Sequence, residues 1–293
     1  MSTRRFGTTL RAMGKAMYGL GILLAAALAS GTSPCAAEGG GSDSGAKPAP
    51  RPTPGGRFHI ILLAGQSNMA GRAPIPAADR RPLPNAYTMD RDDEWVPATA
   101  PFHFDRKTAG IGPANQFVRR YLADHPGENV GIVPCAVGGS SISTWDPDGT
   151  GRDGANFRRA ITRVRKARSK GEFVAILWHQ GEADGLKPPE ALRTCYPDRF
   201  GAMVAAFRKE TGDVPVIVGE IGRFMTDRAS LVNEVLGGLS NSVPCCACVS
   251  SEGLADKGDK VHFGLEGANA LGDRYYEAFQ RVAEGSRADS TPR

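Results

Sequence analysis

Phe58-His59-Ile60-Ile61-Leu62-Leu63-Ala64-Gly65-Gln66-Ser67-Asn68-Met69-Ala70-Gly71 is the stretch that decides the fold. Its first half is almost continuously apolar and ends in glycine. That is the pattern of a strand buried on both faces of a parallel sheet. A polar turn carrying a serine follows at once. Three later runs repeat the pattern, Val130 to Val137, Phe173 to Trp178 and Val214 to Ile221, and Cys245 to Ser250 is a weaker fifth. Segments of helical period lie between them. Phe200, Met203, Val204 and Phe207 fall at i, i+3, i+4 and i+7, and Phe157, Ile161 and Val164 keep the same period. Leu265, Ala268, Leu271, Tyr275 and Phe279 make an amphipathic last helix. Strands alternating with helices predict an α/β domain with a parallel sheet covered on both faces. Such sheets bind ligands beyond the carboxyl ends of their strands, so chemistry is expected in the loops that follow them.

Residues 71–110 do not fit the alternation. They hold Pro74, Pro76, Pro82, Pro84, Pro97 and Pro101 with Tyr87, Trp95, Phe102 and Phe104. A loop of this length is uncommon and often functional. It reads either as one wall of a substrate cleft or as a surface excursion with its own small aromatic cluster.

The chain has 293 residues, 41% of them apolar and 23% charged, which excludes collagen-like, wholly disordered and polytopic membrane classes. Its formal charge of +5 raises the question of a polyanion partner. The position of the charges answers it. Arg4, Arg5, Arg11 and Lys15 precede a 13-residue apolar run, Met17 to Ala29, and no acid occurs before Glu38. That run is too short to span ~30 Å of hydrocarbon. With small residues after it, residues 1–37 read as a signal peptide, with weak twin-arginine and lipoprotein features. Without those four basic residues, 36 falls to 32, against 31 acidic. The expected location is secreted or periplasmic, with no stable membrane insertion after cleavage and no nucleic-acid partner. Residues 38–57, rich in Gly, Ser and Pro, read as a linker. Residues 58–285 form the folded domain, and 286–293 a disordered tail.

Four blocks carry chemistry. Gly65-Gln66-Ser67-Asn68-Met69 puts a serine on a tight turn after the first strand. It lacks the second glycine of the G-x-S-x-G elbow. Gly138-Gly139-Ser140-Ser141-Ile142, after the second strand, can present backbone N–H groups to an oxyanion. His179-Gln180-Gly181-Glu182, with Asp184 close behind, follows the third strand. Asp259-Lys260-Val261-His262 precedes the last helix, and a carboxylate three residues before a histidine can reach its Nδ1–H and leave Nε2 free as a base. Each block alone also reads as an ordinary turn. Together they supply a nucleophile, a base, an orienting carboxylate and oxyanion donors, the inventory of an acyl-transfer site.

In this order the four blocks resemble the SGNH-hydrolase superfamily, and within it carbohydrate esterase family six and the sialate O-acetylesterase-like (SASA) group. The resemblance spans roughly Phe58 to Ala283. It implies a flavodoxin-like three-layer α/β/α sandwich with a five-stranded parallel sheet. It implies Ser67 as nucleophile, His262 as base and Asp259 as its orienting group. The oxyanion donors would be the Ser67 and Gly139 N–H groups and the Gln180 side chain. Gln180 stands where the wider superfamily has Asn, and GQSN replaces the GDS type; both departures match the esterase subgroup. The implied substrate is an acetylated carbohydrate, acetylated xylan or a related polysaccharide first and an O-acetylated sialic acid second, with no metal or organic cofactor. Trp145, Asn68 and Glu182 are the candidate substrate contacts, Trp145 by stacking on a sugar ring. Glu182 and Asp184 are also placed to hold their loop.

Other polar residues read more plainly. His59 is a core histidine, His103 and His125 lie in loops, and His179 lacks the nearby upstream Asp of a catalytic base. Cys245, Cys246 and Cys248 lack zinc spacing. In an exported chain one of them could pair with Cys195, and a reduced buried cluster is the alternative. Cleavage after Ala37 leaves five cysteines, an odd number. The segment from Gly154 to Lys170 holds seven basic residues and no acid, but its apolar stripe makes it a solvated helix face. Two further function classes remain, a carbohydrate-binding protein on a decayed esterase fold and a nucleic-acid binder. Intact Ser67, Asp259 and His262 argue against the first, and only net charge and the basic helix favour the second. The sequence leaves the oligomeric state open.

Overall fold

A computed structural model describes residues 55–289. The signal segment and most of the linker lie outside the described residues. Strand β1 (Phe58–Gly65) is the centre of a seven-stranded sheet ordered β3-β2-β4-β1-β5-β6-β7. Its neighbours are β4 (Asn129–Pro134) and β5 (Glu172–His179), both parallel to it. Beyond β5 come β6 (Val216–Gly219) and β7 (Cys246–Val249).

The side chains of β1 alternate between two cores, as a strand period of two requires. Ile60, Leu62 and Ala64 face α3 (Ala155–Ala167), α4 (Pro189–Thr211) and α5 (Thr226–Gly238). Ile61 and Leu63 face α2 (Pro113–Asp124) and α6 (Leu265–Asp289). The helical periods read from sequence are the faces so buried: Phe157, Ile161 and Val164 on α3; Phe200, Met203, Val204 and Phe207 on α4; Leu271, Tyr275 and Phe279 on α6. This is the three-layer α/β/α fold expected. Helix α6 continues to Asp289, into the stretch read as a tail.

The sheet has seven strands, where five were expected. The two additional ones, β2 (Ala86–Met89) and β3 (Trp95–Pro97), lie inside the proline-rich 71–110 stretch. They are four and three residues long, too short for a period to register. Strand β2 pairs parallel with β4, and β3 closes the edge antiparallel to β2. Phe58, outside the stretch, holds Tyr87 and Trp95 at ring distances of 5.9 and 5.1 Å and this packing fixes the strands, while Phe102 joins the core and Phe104 lies under Arg91 and Arg163.

Five of the seven basic residues on and after α3 have partners in their own chain. Arg165 and Arg168 pair with Glu210, Lys166 with Glu94 and the buried Arg163 with Asp93. Arg158 donates to the carbonyls of Gly149, Gly151 and Asp153. No helix among the described residues is long and apolar enough to cross a membrane. Of the two readings of the cysteines the reduced one holds, since Cys135, Cys195, Cys245, Cys246 and Cys248 are all free thiols. Burial pushes Cys246 and Cys248 up to about 12 and Cys135 to about 11, so these are packing groups rather than nucleophiles.

Candidate active site

The sheet places three of the four blocks side by side, because β4, β1 and β5 are adjacent. Ser67 opens a single helical turn, α1 (Ser67–Ala70), directly after β1. The turn is set by Gln66, whose N–H donates to the His179 carbonyl at 2.8 Å. The fourth block reaches Ser67 from beyond β7. His262 Nε2 lies 3.1 Å from Ser67 Oγ, and His262 Nδ1 lies 2.7 Å from Asp259 Oδ2. The other carboxylate oxygen of Asp259 accepts from the Val261 and His262 N–H groups. Burial opposes ionisation of Asp259, but the bonds from the His262 ring and these two N–H groups outweigh it and hold the carboxyl far below its ordinary range. Asp259 is therefore a fixed anion that keeps the proton on Nδ1 and leaves Nε2 to accept from serine.

Gly139 adopts φ +76°, and a Cβ there would meet nothing within 4 Å, so the loop exposes its backbone beside the serine turn. Neither the Ser67 nor the Gly139 N–H donates to an acceptor among the described residues. The rest of this loop is tied down. Gly138 N–H donates to Asp105 Oδ2 at 2.9 Å, Ser140 Oγ to the Gly65 carbonyl at 3.2 Å, and Ile142 N–H to Asp184 Oδ2 at 2.8 Å.

A serine, a histidine and a carboxylate in line beside these two N–H groups can carry out acyl transfer. The family is decided by comparison. Residues 57–281 match the family described as carbohydrate esterase, sialic acid-specific acetylesterase. The chain belongs to this family. A curated relative, a probable carbohydrate esterase of Arabidopsis thaliana, is 29% identical over 246 residues, covering 75% of this chain and 89% of the relative. The structure of that Arabidopsis protein superposes with a TM-score of 0.65 at 24% identity, over 79% of this chain and 99% of that one. The structure of NanS gives 0.63 at 20%, over 78% and 98%. That of a carbohydrate acetylesterase from Xanthomonas citri gives 0.60 at 19%, over 77% and 57%. These structures share the fold.

Within this family member, several candidates take other places than expected. Trp145 is fully buried, edge-on to Trp178 at 5.2 Å, and its Nε1–H donates to Ser140 Oγ. It supports the Gly139 loop from beneath and presents no face to a sugar. Gln180 is also fully buried. Its Nε2 lies 2.6 Å from Asp184 Oδ2, 3.0 Å from the Ser140 carbonyl and 3.2 Å from Gln66 Oε1. Two amide hydrogens already face three acceptors, so none is left over for an oxyanion in this arrangement. Its work is to tie the three loops together.

Asn68 and Glu182, read as substrate contacts, are buried and bonded to each other at 2.7 Å. Burial works against the Glu182 charge, but its bonds to His179 and Asn68 prevail and keep the carboxyl below its usual range. Asp184 holds the loop as expected, through Ile142, Gln180 and Lys187.

Two supporting residues were not read from the sequence. Arg72 and Asp105 form a buried ion pair at 2.6 Å, and Asp105 carries Gly138. Arg72 at least follows the serine block closely in the sequence. Asp105 has no local signal, because it meets Gly138 only in three dimensions. Among the described residues, no group of three or more His, Cys, Asp or Glu is arranged to hold a metal ion.

Proposed function

We propose that this protein is an exported serine esterase that removes O-acetyl groups from carbohydrate, with acetylated xylan or a related polysaccharide as substrate. The observation that carries the reading is the in-line Asp259–His262–Ser67 geometry, in a chain that belongs to a carbohydrate esterase family. Ser67 Oγ attacks the acetyl carbonyl carbon while His262 Nε2 takes the hydroxyl proton. The carbonyl oxygen becomes an oxyanion facing the Ser67 and Gly139 N–H groups, each donor being worth about 3 kcal/mol. The tetrahedral species collapses, the sugar oxygen leaves and receives the proton from His262, and acetyl-Ser67 remains. Water gives a proton to His262 as it attacks the acetyl carbonyl, and collapse of the second tetrahedral species breaks the bond to Ser67 Oγ, which takes that proton back from His262 as acetic acid leaves and ionises.

The family's description gives the second substrate, an O-acetylated sialic acid. The chemistry at Ser67 would be the same with a different sugar held above it. The test is hydrolysis of p-nitrophenyl acetate by the purified chain and by Ser67→Ala. The wild type should turn over and the variant should lose ~10⁵-fold or more. Equal rates for the two proteins would remove the esterase reading and favour a binding protein. Acetate release from acetylated xylan and from O-acetylated sialic acid then ranks the substrates.

A further inference from the structure

His262 sits on a loop that packs on the domain through the buried Phe263, against His179 and Phe224, and makes few hydrogen bonds to it. Apart from two sets of contacts, every described hydrogen bond made by residues 254–263 stays within residues 251–264. One exception is His262 Nε2 to Ser67 Oγ. The other is Asn68. Its Nδ2 donates to the Val261 carbonyl at 3.1 Å, and its Oδ1 accepts from the Phe263 N–H, also at 3.1 Å. One side chain thus grips the peptide groups on both sides of His262, from the residue next to the nucleophile.

The orientation of this amide is forced. Both neighbours of Nδ2, the Val261 carbonyl and Glu182 Oε1, can only accept, and the neighbour of Oδ1 is a donor. Glu182 is a buried carboxylate held by β5's loop, with no arginine or lysine paired to it among the described residues. It anchors the amide to the sheet.

We propose that Asn68 is a positioning residue that sets the distance from His262 Nε2 to Ser67 Oγ, and that Glu182 orients Asn68 for this task. This rests on the esterase reading for its kinetic consequence. The serine turn and the base loop are joined in one rigid unit, so the reacting pair is aligned before substrate arrives. Asn68 touches no substrate.

The test uses the whole chain with p-nitrophenyl acetate and two readouts. Asn68→Ala should lower kcat about 100-fold, the scale of a misplacement near 1 Å, with KM within about twofold. The proton resonance of His262 Nδ1–H, observed without substrate, should broaden or move as the loop loosens. Glu182→Gln keeps an acceptor for Asn68 and should retain most of kcat, whereas Glu182→Leu should follow Asn68→Ala. If Asn68→Ala does not fold, Asn68→Ser replaces it, since it keeps a small polar side chain that adds no charge beside Glu182 and is too short to bridge Val261 and Phe263. Folded Asn68 variants that keep kcat within about threefold, or that lose activity with the His262 resonance unchanged, overturn the proposal. Ser67→Ala in the same assay reports on the esterase reading separately, and the resonance reports on the clamp even if no ester is hydrolysed.

Discussion

The two sides of the site are built differently. The Gly139 side is fixed from many directions: Asp105 on Gly138, Gly65 and Trp145 on Ser140, Asp184 on Ile142, and Gln180 across to Ser140. Most of these groups are buried, and they come from three neighbouring strand ends and the 71–110 stretch. The His262 side is a self-bonded loop, joined to the nucleophile through Asn68, with Asp259 37% exposed. An oxyanion pocket has to be rigid before charge develops in it. A base has to give and take a proton twice per cycle, beside a leaving sugar and an entering water, and needs access to both. The fold concentrates its buried polar bonds where rigidity counts and leaves the base near solvent.

The largest effect should come from the exposed side, in activity rather than stability. In Asp259→Asn an amide NH₂ can donate to His262 Nδ1, which switches the tautomer so that Nε2 carries the proton and cannot accept one from Ser67. The corresponding change in serine proteases costs ~10⁴ in kcat. Since the Asp259 side chain is partly exposed, the melting temperature should move little. Measuring kcat and Tm on the same preparation checks both. A variant that unfolds as it loses activity would show that the base loop carries stability, against the contrast drawn above.

This contrast was only partly legible in the sequence. The Asp259-x-x-His262 pair is local, so its spacing alone predicts the contact that the structure contains. The central strand was legible because Ile60 to Ala64 are apolar on both faces. The supports of the Gly139 side are long-range. Asp105 and Gly138 are 33 residues apart, and Ile142 and Asp184 are 42 apart. No period or spacing encodes such contacts. Trp145 and Gln180 were misread for the same reason: residue type suggests what a side chain can do, and only packing decides whether it faces a ligand or a neighbour. Strands β2 and β3 were missed because Ala86–Met89 and Trp95–Pro97 draw their strand character from pairing with β4 and from the aromatic contacts of Phe58.

On the buried side the sharpest test is Asp105→Ala. It leaves the Arg72 guanidinium, 4% exposed, without its carboxylate, and leaves the Gly138 N–H without an acceptor. Breaking a buried pair in this way costs about 3–5 kcal/mol. Urea unfolding should show that loss, with kcat falling as well because the Gly139 loop is freed. Arg165→Ala breaks an exposed pair with Glu210 and should cost under ~1 kcal/mol. Similar losses in the two variants would mean that burial does not distinguish these charges.

The last predicted effect separates the two sides by pH. His103 is buried near Asp105, Arg72 and Arg163, and its Nε2 has no hydrogen-bond partner among the described residues. Burial, with the two arginines, pushes it from 6.5 down to about 3 despite Asp105. The folded chain therefore keeps His103 neutral where the unfolded chain protonates it. Stability from this group is complete above pH ~6.5 and is lost progressively as pH falls towards 3, by about 2–3 kcal/mol between pH 7 and 4.5. His103→Leu removes the ionisation, so the stability of the variant should fall less on acidification by that amount. His59, also held low by burial, contributes to both proteins alike and cancels in the difference. Asp105 cancels too, and its depressed carboxyl titrates below its ordinary range, under this window. Urea unfolding of both proteins from pH 7 to pH 4.5 measures the difference. If the two curves run parallel, His103 does not stay neutral in the folded chain, and the cluster behind the Gly139 loop admits a proton that its packing should exclude.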